Sequence, residues 1–174
     1  MMIHDIFFRE LVAADLDGLL FYLHHLSNET KSRFGPHAFD KDAVITFYND
    51  DELKGYVAED KTSNTIIAYA IIKKGILFHD NNRLSGYNYS GIEKDSCTYA
   101  PSVADEWQGK GIGKLMFAYI QDNCKNDGIK KIILWGGVQC KNERAVNFYK
   151  KVGFVTLGIF EYNGFNQDML LEIA

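Results

Sequence analysis

Apolar residues along this chain recur at a helical period in some segments and form continuous runs in others, and this pattern predicts alternating helices and strands. Between Ile112 and Ile120 they follow one another at three- and four-residue intervals, the spacing of a helix that buries one face. Gly128 then provides a stop signal for this helix. The apolar run from Lys130 to Trp135 predicts a largely buried strand, and Cys97 to Ala104 is also compatible with a strand. Strand, helix and strand in this order indicate a parallel pair with a right-handed crossover.

The amino-terminal half shows a similar alternation. Ile6 to Val12 is predicted as the first strand, and Asp15 precedes a helical pattern of leucines. Asp40 to Tyr48 is predicted as a second helix. Leu53 to Ala58 and Thr65 to Lys73 are separated by a polar turn, so they are predicted as an antiparallel hairpin.

Composition narrows the class of protein. With 174 residues, 47% of them hydrophobic and only two prolines, the chain is expected to form a single domain over residues 1–174. The net charge of −4 argues against nucleic-acid binding, for which a basic face is the usual footprint. No apolar amino-terminal segment suggests secretion or a membrane partner. The three cysteines are an odd set, which together with the lack of a secretion segment leads us to expect a cytoplasmic protein. Neither the cysteines nor the five histidines show metal-ligand spacing, so we expect no metal site.

A glycine-rich run lies at the junction between the strand ending near Ala104 and the following helix. It extends from Gln108 to Gly113 and reads Q-G-K-G-I-G. Glycines let a backbone approach a ligand closely, and the positive end of the helix dipole favours an anion there. The spacing excludes the dinucleotide fingerprint, and the Walker pattern fails because Gln108 and Leu115 replace its first glycine and its Ser or Thr. We therefore predict a pyrophosphate cradle; the alternative is a turn that merely joins strand to helix.

A second motif follows about thirty residues later, between Asn142 and Phe154. It predicts a short helix that begins after Asn142, a natural N-cap, and ends at Gly153. Together the two motifs resemble the Q-x-x-G-x-G and N-x-x-A-x-x-x-Y-x-x-x-G-F patterns of the GNAT acetyltransferase superfamily. The resemblance extends from Val103 to the carboxyl terminus. Val103 to Gln108 is also similar to the V-x-D-x-W-Q sequence of bacterial members, including domains that acetylate protein lysines.

The resemblance implies an α/β fold of the mixed α+β kind. Its elements would follow the order β-α-α-β-β-β-α-β-α-β-β, as a twisted mixed sheet of about seven strands with helices on both faces. It also implies an acetyl-CoA-dependent N-acetyltransferase that acts on a primary amine of a small molecule or peptide by direct attack on the thioester. The alternative is a non-catalytic acyl-CoA-binding sensor or interaction module. Family members often dimerise, so a homodimer is one alternative for an oligomeric state that the sequence does not define.

The resemblance also assigns roles to particular residues. Backbone groups would hold the pyrophosphate at Gln108, Gly109, Lys110, Gly111, Ile112, Gly113 and Lys114. Main-chain groups of Val103 would pair with the pantetheine arm, and its amide is a candidate oxyanion donor. Tyr149 matches the tyrosine that protonates the leaving sulfur, and Asn142 matches the asparagine that contacts the cofactor arm. The alternatives are that Asn142 only caps a helix and that Tyr149 is a core aromatic residue.

The general base and the acceptor site are not defined by the motifs. Related protein-lysine acetyltransferases carry a glutamate where this chain has Thr98, and the upstream carboxylates Glu93 and Asp95 are not assigned in its place. Two connections are candidates for acceptor recognition, Ser27 to Phe39 and the long stretch Gly75 to Asp95. The first could instead be a capped surface loop, and the second a flap or a subunit contact. Cys140 is interpreted as a structural or incidental thiol rather than a nucleophile.

Overall fold

The computed structural model describes residues 5–87, 89, 91–92 and 94–173. The strands are β1 Ile6–Glu10, β2 Leu53–Asp60, β3 Thr65–Lys74, β4 Ser96–Val103, β5 Lys131–Leu134, β6 Val138–Gln139, β7 Val155–Glu161 and β8 Phe165–Glu172. The α-helices are α1 Leu16–His25, α2 Asn28–Arg33, α3 Lys41–Phe47, α4 Asn81–Ser85, α5 Ile112–Asn126 and α6 Glu143–Lys151.

The strands form a mixed, mostly antiparallel sheet. They are hydrogen-bonded in the order β1-β2-β3-β4-β5-β8-β6, and β7 also pairs with β8. β4 and β5 are parallel, with Ser96 opposite Lys131 and Tyr99 opposite Leu134. This confirms the predicted α/β fold and the parallel pair on either side of α5.

Contacts divide the chain into two compact units, Met1–Ile72 with Ala100–Ile120, and Lys73–Tyr99 with Gln121–Ala174. The single domain inferred from length therefore stays a prediction. In the first unit the core includes Leu19 and Leu23 of α1 and the centre of β3, all fully buried. In the second unit Leu84 and Ile92 pack against Ile133 and Leu170. Each unit thus has buried apolar residues of its own.

Three elements differ from the sequence prediction because they are short. The Ser27–Phe39 connection contains α2, and the Gly75–Asp95 stretch contains α4 together with a 3₁₀ turn at Phe78–Asp80. Strand β6, which the sequence did not predict, has only two residues. Such segments are too short to show an apolar period. None of the six residues of α2 is buried, so its sequence carries no amphipathic signal at all.

The α4 segment is attached to β8 through one buried carboxylate. Asp168 is fully buried and accepts hydrogen bonds from Arg83 Nε at 2.7 Å and Nη2 at 3.0 Å. The Tyr87 hydroxyl donates to the same carboxylate at 2.8 Å. A Cβ at Gly158, beside the β-bulge of β7, would overlap the Tyr87 ring. Arg83 and Tyr87 are therefore held against β7 and β8 by a charged network and close ring packing.

Tyr87→Phe is expected to lower the free energy of unfolding by about 1 to 3 kcal/mol, because it removes a hydrogen bond to a buried charge. The measurement is urea unfolding of the variant and the wild type. Tyr162→Phe is the control, since the Tyr162 side chain is exposed and its loss of a hydroxyl should change stability by less than about 0.5 kcal/mol. Equal stability of the two variants would contradict the role of Tyr87.

Candidate active site

The glycine-rich loop follows directly from the end of β4. The Ala104 amide donates to the Ile67 carbonyl at 2.9 Å, which holds the end of β4 against β3. A 3₁₀ turn at Asp105–Trp107 comes next, and the Trp107 amide closes it by donating to the Ala104 carbonyl at 2.8 Å. The loop thus connects the end of β4, which is paired with β3, to the first turn of α5.

Two loop glycines adopt a left-handed backbone. Gly109 has φ of +76° and Gly111 has φ of +86°, a conformation that costs an L-residue about 1 to 2 kcal/mol. No protein atom lies within 4 Å of a Cβ built at either position. Glycine is therefore required at these positions by the left-handed backbone and not by crowding from other protein atoms. The open space beside the two glycines would let a ligand approach the main chain.

The loop presents a row of backbone N–H groups at the start of α5. Among the described residues, no acceptor is found for the backbone N–H groups of Gly109, Lys110, Gly111, Ile112 and Gly113. Intrahelical bonding begins only beyond them, where the amides of Lys114 and Leu115 donate to the Gly111 carbonyl at 3.1 and 3.2 Å. Since these donors lie at the positive end of the 15-residue helix α5, the arrangement can hold an anion such as a phosphate.

The side chain of Gln108 ties the loop to β4. Its Nε2 donates to the Val103 carbonyl at 2.9 Å and lies 3.3 Å from the Thr30 hydroxyl. The structure thus brings together Val103 and the predicted cradle. The glutamine does more than present a backbone amide, because its side chain also holds the peptide that follows Val103.

Asp105 is a site residue to which sequence reasoning gave no role. Its Oδ2 accepts from the Ser27 amide at 2.8 Å, and its Oδ1 accepts from the hydroxyls of Ser27 and Thr30, both at 2.7 Å. Partial burial raises the pKa of this carboxyl, but the hydrogen bonds outweigh burial and the pKa is lowered. Asp105 is therefore an anion at neutral pH. The aspartate of the V-x-D-x-W-Q sequence could have marked Asp105 as a site residue, although Ser27 and Thr30, to which it is hydrogen-bonded, are remote in sequence.

Tyr149 lies on α6 in the second unit. It is 8% exposed, and its ring centroid lies 5.3 Å from that of Phe148 and 5.4 Å from that of Phe154. Burial raises the pKa of Tyr149 well above its usual value, so the phenol keeps its proton at neutral pH. A proton donor needs this property, and a core tyrosine would show it as well.

Asn142 is the N-cap of α6. Its Oδ1 accepts a hydrogen bond from the Ala145 amide at 3.3 Å, which satisfies one of the unpaired donors of the first helical turn. This accounts for the residue without a cofactor. The predicted contact between Asn142 and the cofactor arm stays a prediction.

The positions considered for a general base have other roles. Thr98 is 1% exposed and donates its hydroxyl hydrogen to the Gly75 carbonyl at 2.9 Å. Asp95 has φ of +51°, and its carbonyl accepts from the amides of Lys130 and Lys131 at 2.7 and 3.1 Å. Asp95 is therefore a turn residue. Glu93 lies outside the described residues.

His37, between α2 and α3, has a defined tautomer. Its Nδ1 lies 2.7 Å from the Ala38 carbonyl, which can only accept, so Nδ1 carries the proton of the neutral ring. Its Nε2 is then the acceptor for the Tyr69 hydroxyl at 3.1 Å. Burial lowers the pKa of His37, and the hydrogen bond to Ala38 and the charge of Asp40 offset part of this effect. The ring is therefore neutral at pH 7.

This lowered pKa predicts a pH dependence of stability. The unfolded chain takes up a proton near the ordinary pKa of 6.5, whereas the folded protein does so at lower pH. The free energy of unfolding should therefore fall as the pH drops below about 7 and level off below the folded pKa. His37→Gln should remove this component in urea unfolding between pH 5 and 8. His25→Gln, at an exposed position of α1, is the control, and an identical pH profile for all three proteins would contradict the assignment.

Comparison with known families decides the class of this protein. The sequence profile of the acetyltransferase (GNAT) family matches residues 20–154, which include both the glycine-rich loop and the Asn142–Phe154 motif. The chain belongs to this family. It is therefore an acyltransferase by family, and the family uses acetyl-CoA. No curated protein sequence matches the chain.

Solved structures show the same fold at low sequence identity. The GNAT domain of S. lividans PAT has a TM-score of 0.72 and 17% identity, covering 95% of this chain and 89% of that domain. Spermidine N-acetyltransferase from Vibrio cholerae, in complex with CoA and spermine, has a TM-score of 0.69 and 22% identity, covering 97% and 96%. The ribosomal-protein-S18-alanine N-acetyltransferase from Escherichia coli has a TM-score of 0.64 and 16% identity, covering 97% and 94%.

The described residues contain neither a helix that could span a membrane nor a cluster of metal ligands. No helix there is both long and apolar enough to cross a membrane. The same residues contain no group of three or more His, Cys, Asp or Glu side chains arranged to hold a metal ion. The expectation that the reaction needs no metal remains a prediction.

Proposed function

We propose that this GNAT protein transfers the acetyl group of acetyl-CoA to a primary amine of a small molecule or peptide. The observation that carries the proposal is the row of five backbone N–H groups between Gly109 and Gly113 that have no protein acceptor among the described residues. Preorganised donors at a helix N-terminus suit the pyrophosphate of CoA. The exposed side chains of Lys110 and Lys114 add positive charge beside them.

In the proposed reaction the amine nitrogen attacks the thioester carbon directly. The carbonyl oxygen becomes an oxyanion, which the Val103 amide is proposed to stabilise. Collapse of this intermediate breaks the C–S bond, and Tyr149 gives its proton to the departing thiolate. The amine loses its proton to solvent, which also returns one to Tyr149. The protein supplies donors and alignment, and positioning two substrates on one scaffold accounts for much of such an acceleration.

The free-base amine is the demanding requirement. An alkylamine with a pKa of about 10.4 is neutral in only about one molecule per thousand at pH 7. Thr98 offers no carboxylate at the position where related enzymes have one, which is the observation that favours the second candidate, a non-catalytic acyl-CoA-binding module. The named acceptors of similar structures are a polyamine and a protein alanine, so they support both small-molecule and peptide acceptors.

Thermal denaturation in the presence of ligands tests the cofactor assignment first. Acetyl-CoA and CoA should each raise Tm, because a ligand that binds only the native state stabilises it, whereas ATP should not. Release of free thiol is then measured with spermidine and with an alanine-initiated peptide as probes. Binding without turnover for any amine would favour the non-catalytic module, and no response to either CoA species would contradict both proposals.

The remaining assignments concern assembly and compartment. A homodimer stays a proposal, and sedimentation would test it. A cytoplasmic location is proposed because Cys97, Cys124 and Cys140 are free thiols, the form that a reducing compartment maintains.

A further inference from the structure

The first turn of α2 is attached to both ends of the Asp105–Gln108 segment, which leads directly into the cradle. The Asp105 carboxylate holds the Ser27 amide and the hydroxyls of Ser27 and Thr30. At the other end, the side-chain Nε2 of Gln108 donates to the Thr30 hydroxyl at 3.3 Å. Asp105 and Gln108 are also joined through their main chains, because the backbone N–H of Gln108 donates to the Asp105 carbonyl at 3.3 Å. Thr30 thus bridges the two ends of the segment.

Helix α2 makes its other contacts at the surface, such as the ion pair of Arg33 with Glu29 and the hydrogen bond that Lys31 Nζ donates to the His24 carbonyl, both at 2.7 Å. It has six residues, none of them buried, and helices this short do not persist in water by intrinsic propensity. The segment that follows α2, from Phe34 to Phe39, is attached to the core. Phe34 is 4% exposed, and His37 is hydrogen-bonded to Tyr69 on β3. The start of the Ser27–Phe39 connection therefore depends on hydrogen bonds to Asp105, whereas its later part is anchored by the core.

We propose that Asp105 is a positioning residue that couples occupancy of the glycine-rich loop to the order of α2, so that cofactor binding arranges the amino-terminal part of the acceptor connection. The inference rests on the proposed function, because it takes CoA as the ligand of the loop. A ligand bound to the N–H groups from Gly109 onward would restrain the adjoining turn and the Asp105 carboxylate within it. By linkage, ordering of α2 would in turn favour cofactor binding.

Hydrogen exchange with CoA as a non-reacting probe tests this coupling without an acceptor. In the wild type, CoA should slow exchange of the loop amides and also of the amides from Ser27 to Phe34, by about three-fold or more for the latter. Amides from His37 to Phe39 should change by less than two-fold, a bound set by their anchoring to the core. CoA protection confined to the loop in the wild type would overturn the proposal.

Matched variants separate coupling from mere stability. Thr30→Val keeps the shape of the side chain but removes the bridging hydroxyl, so the loop should still be protected by CoA while the Ser27–Phe34 response is lost. Thr30→Ser restores the hydroxyl and should restore the response. Asp105→Asn should behave like Thr30→Val, and Glu106→Gln, which removes the exposed carboxylate next to Asp105, should behave like the wild type.

Kinetics provide a second readout once an amine is turned over. Loss of coupling should raise the KM of the amine about five- to ten-fold in Thr30→Val, within the usual range of coupling between sites, and by linkage it should raise the KM of acetyl-CoA at saturating amine by a similar factor, while kcat is kept. A general loss of structure would lower kcat and Tm together. An intact Ser27–Phe34 response in Thr30→Val would overturn the inference alone, whereas an absence of CoA protection anywhere would overturn the proposed function first.

Discussion

Replacing Gly111 with glutamate is expected to abolish binding of acetyl-CoA and CoA. Gly111 has φ of +86°, and a Cβ there would point into space that no protein atom occupies within 4 Å. The new side chain would place bulk and negative charge where the phosphate is proposed to lie. We expect at least a 100-fold rise in Kd, equivalent to about 2.7 kcal/mol, measured by calorimetry or by loss of the ligand-induced rise in Tm.

Gly128→Glu is the matched control for this prediction. Gly128 lies two residues after the end of α5, has φ of +76° and is equally open, with no atom within 4 Å of a built Cβ. Both variants therefore carry a similar backbone cost of about 1 to 2 kcal/mol and should show similar losses of Tm. Only Gly111→Glu should lose the cofactor. If the Kd of acetyl-CoA for Gly111→Glu stayed within three-fold of the wild-type value, the loop would not be the cradle.

Tyr149→Phe is expected to lower kcat by about 10- to 100-fold with little change in the Kd of acetyl-CoA. The substitution keeps the ring that packs against Phe148 and Phe154 and removes only the proton donor. Because burial raises the pKa of Tyr149 above its usual 10, ionisation of this phenol should not limit kcat between pH 7 and about 9.5. Steady-state kinetics with both substrates varied would give the two constants separately.

A buried tyrosine of the same unit provides the stability reference for this experiment. Tyr99 on β4 is 1% exposed, so Tyr99→Phe reports how much Tm changes when a buried phenolic hydroxyl is removed. A fall in kcat of Tyr149→Phe that is matched by a comparable loss of Tm would indicate a packing role. Unchanged turnover would remove Tyr149 from the mechanism and leave the thiolate to take its proton from solvent.

Elements with a long buried face were predictable from sequence. Helix α5 was expected from Ile112, where it begins, and strand β5 lies one residue inside each end of the predicted Lys130–Trp135 run. The helix shows a helical apolar period because one face enters the core, and the strand shows a continuous apolar run because it is largely buried. The glycine-rich loop was predictable for another local reason. Left-handed φ values and unpaired amides at a helix start follow from residue type and position alone.

The contacts around α2 were not predictable in this way. Asp105 and Ser27 are 78 positions apart, as are Gln108 and Thr30, and hydrophilic residues at such separations carry no periodic signal. The same applies to the bond between His37 and Tyr69, 32 positions apart, and to the role of Asp168, which organises Arg83 and Tyr87. Each is a hydrogen bond between side chains that only the packing of strands and helices brings within reach.

By itself, then, the sequence determined the family, the alternation of elements and the position of the glycine-rich loop, because these depend on local periodicity and on glycine conformation. Only the tertiary structure decided which polar groups surround that loop and what holds α2 in place. It also decided that His37 is a neutral acceptor for the Tyr69 hydroxyl. The physical reason is that a polar side chain acquires its charge state and its role from partners that folding supplies.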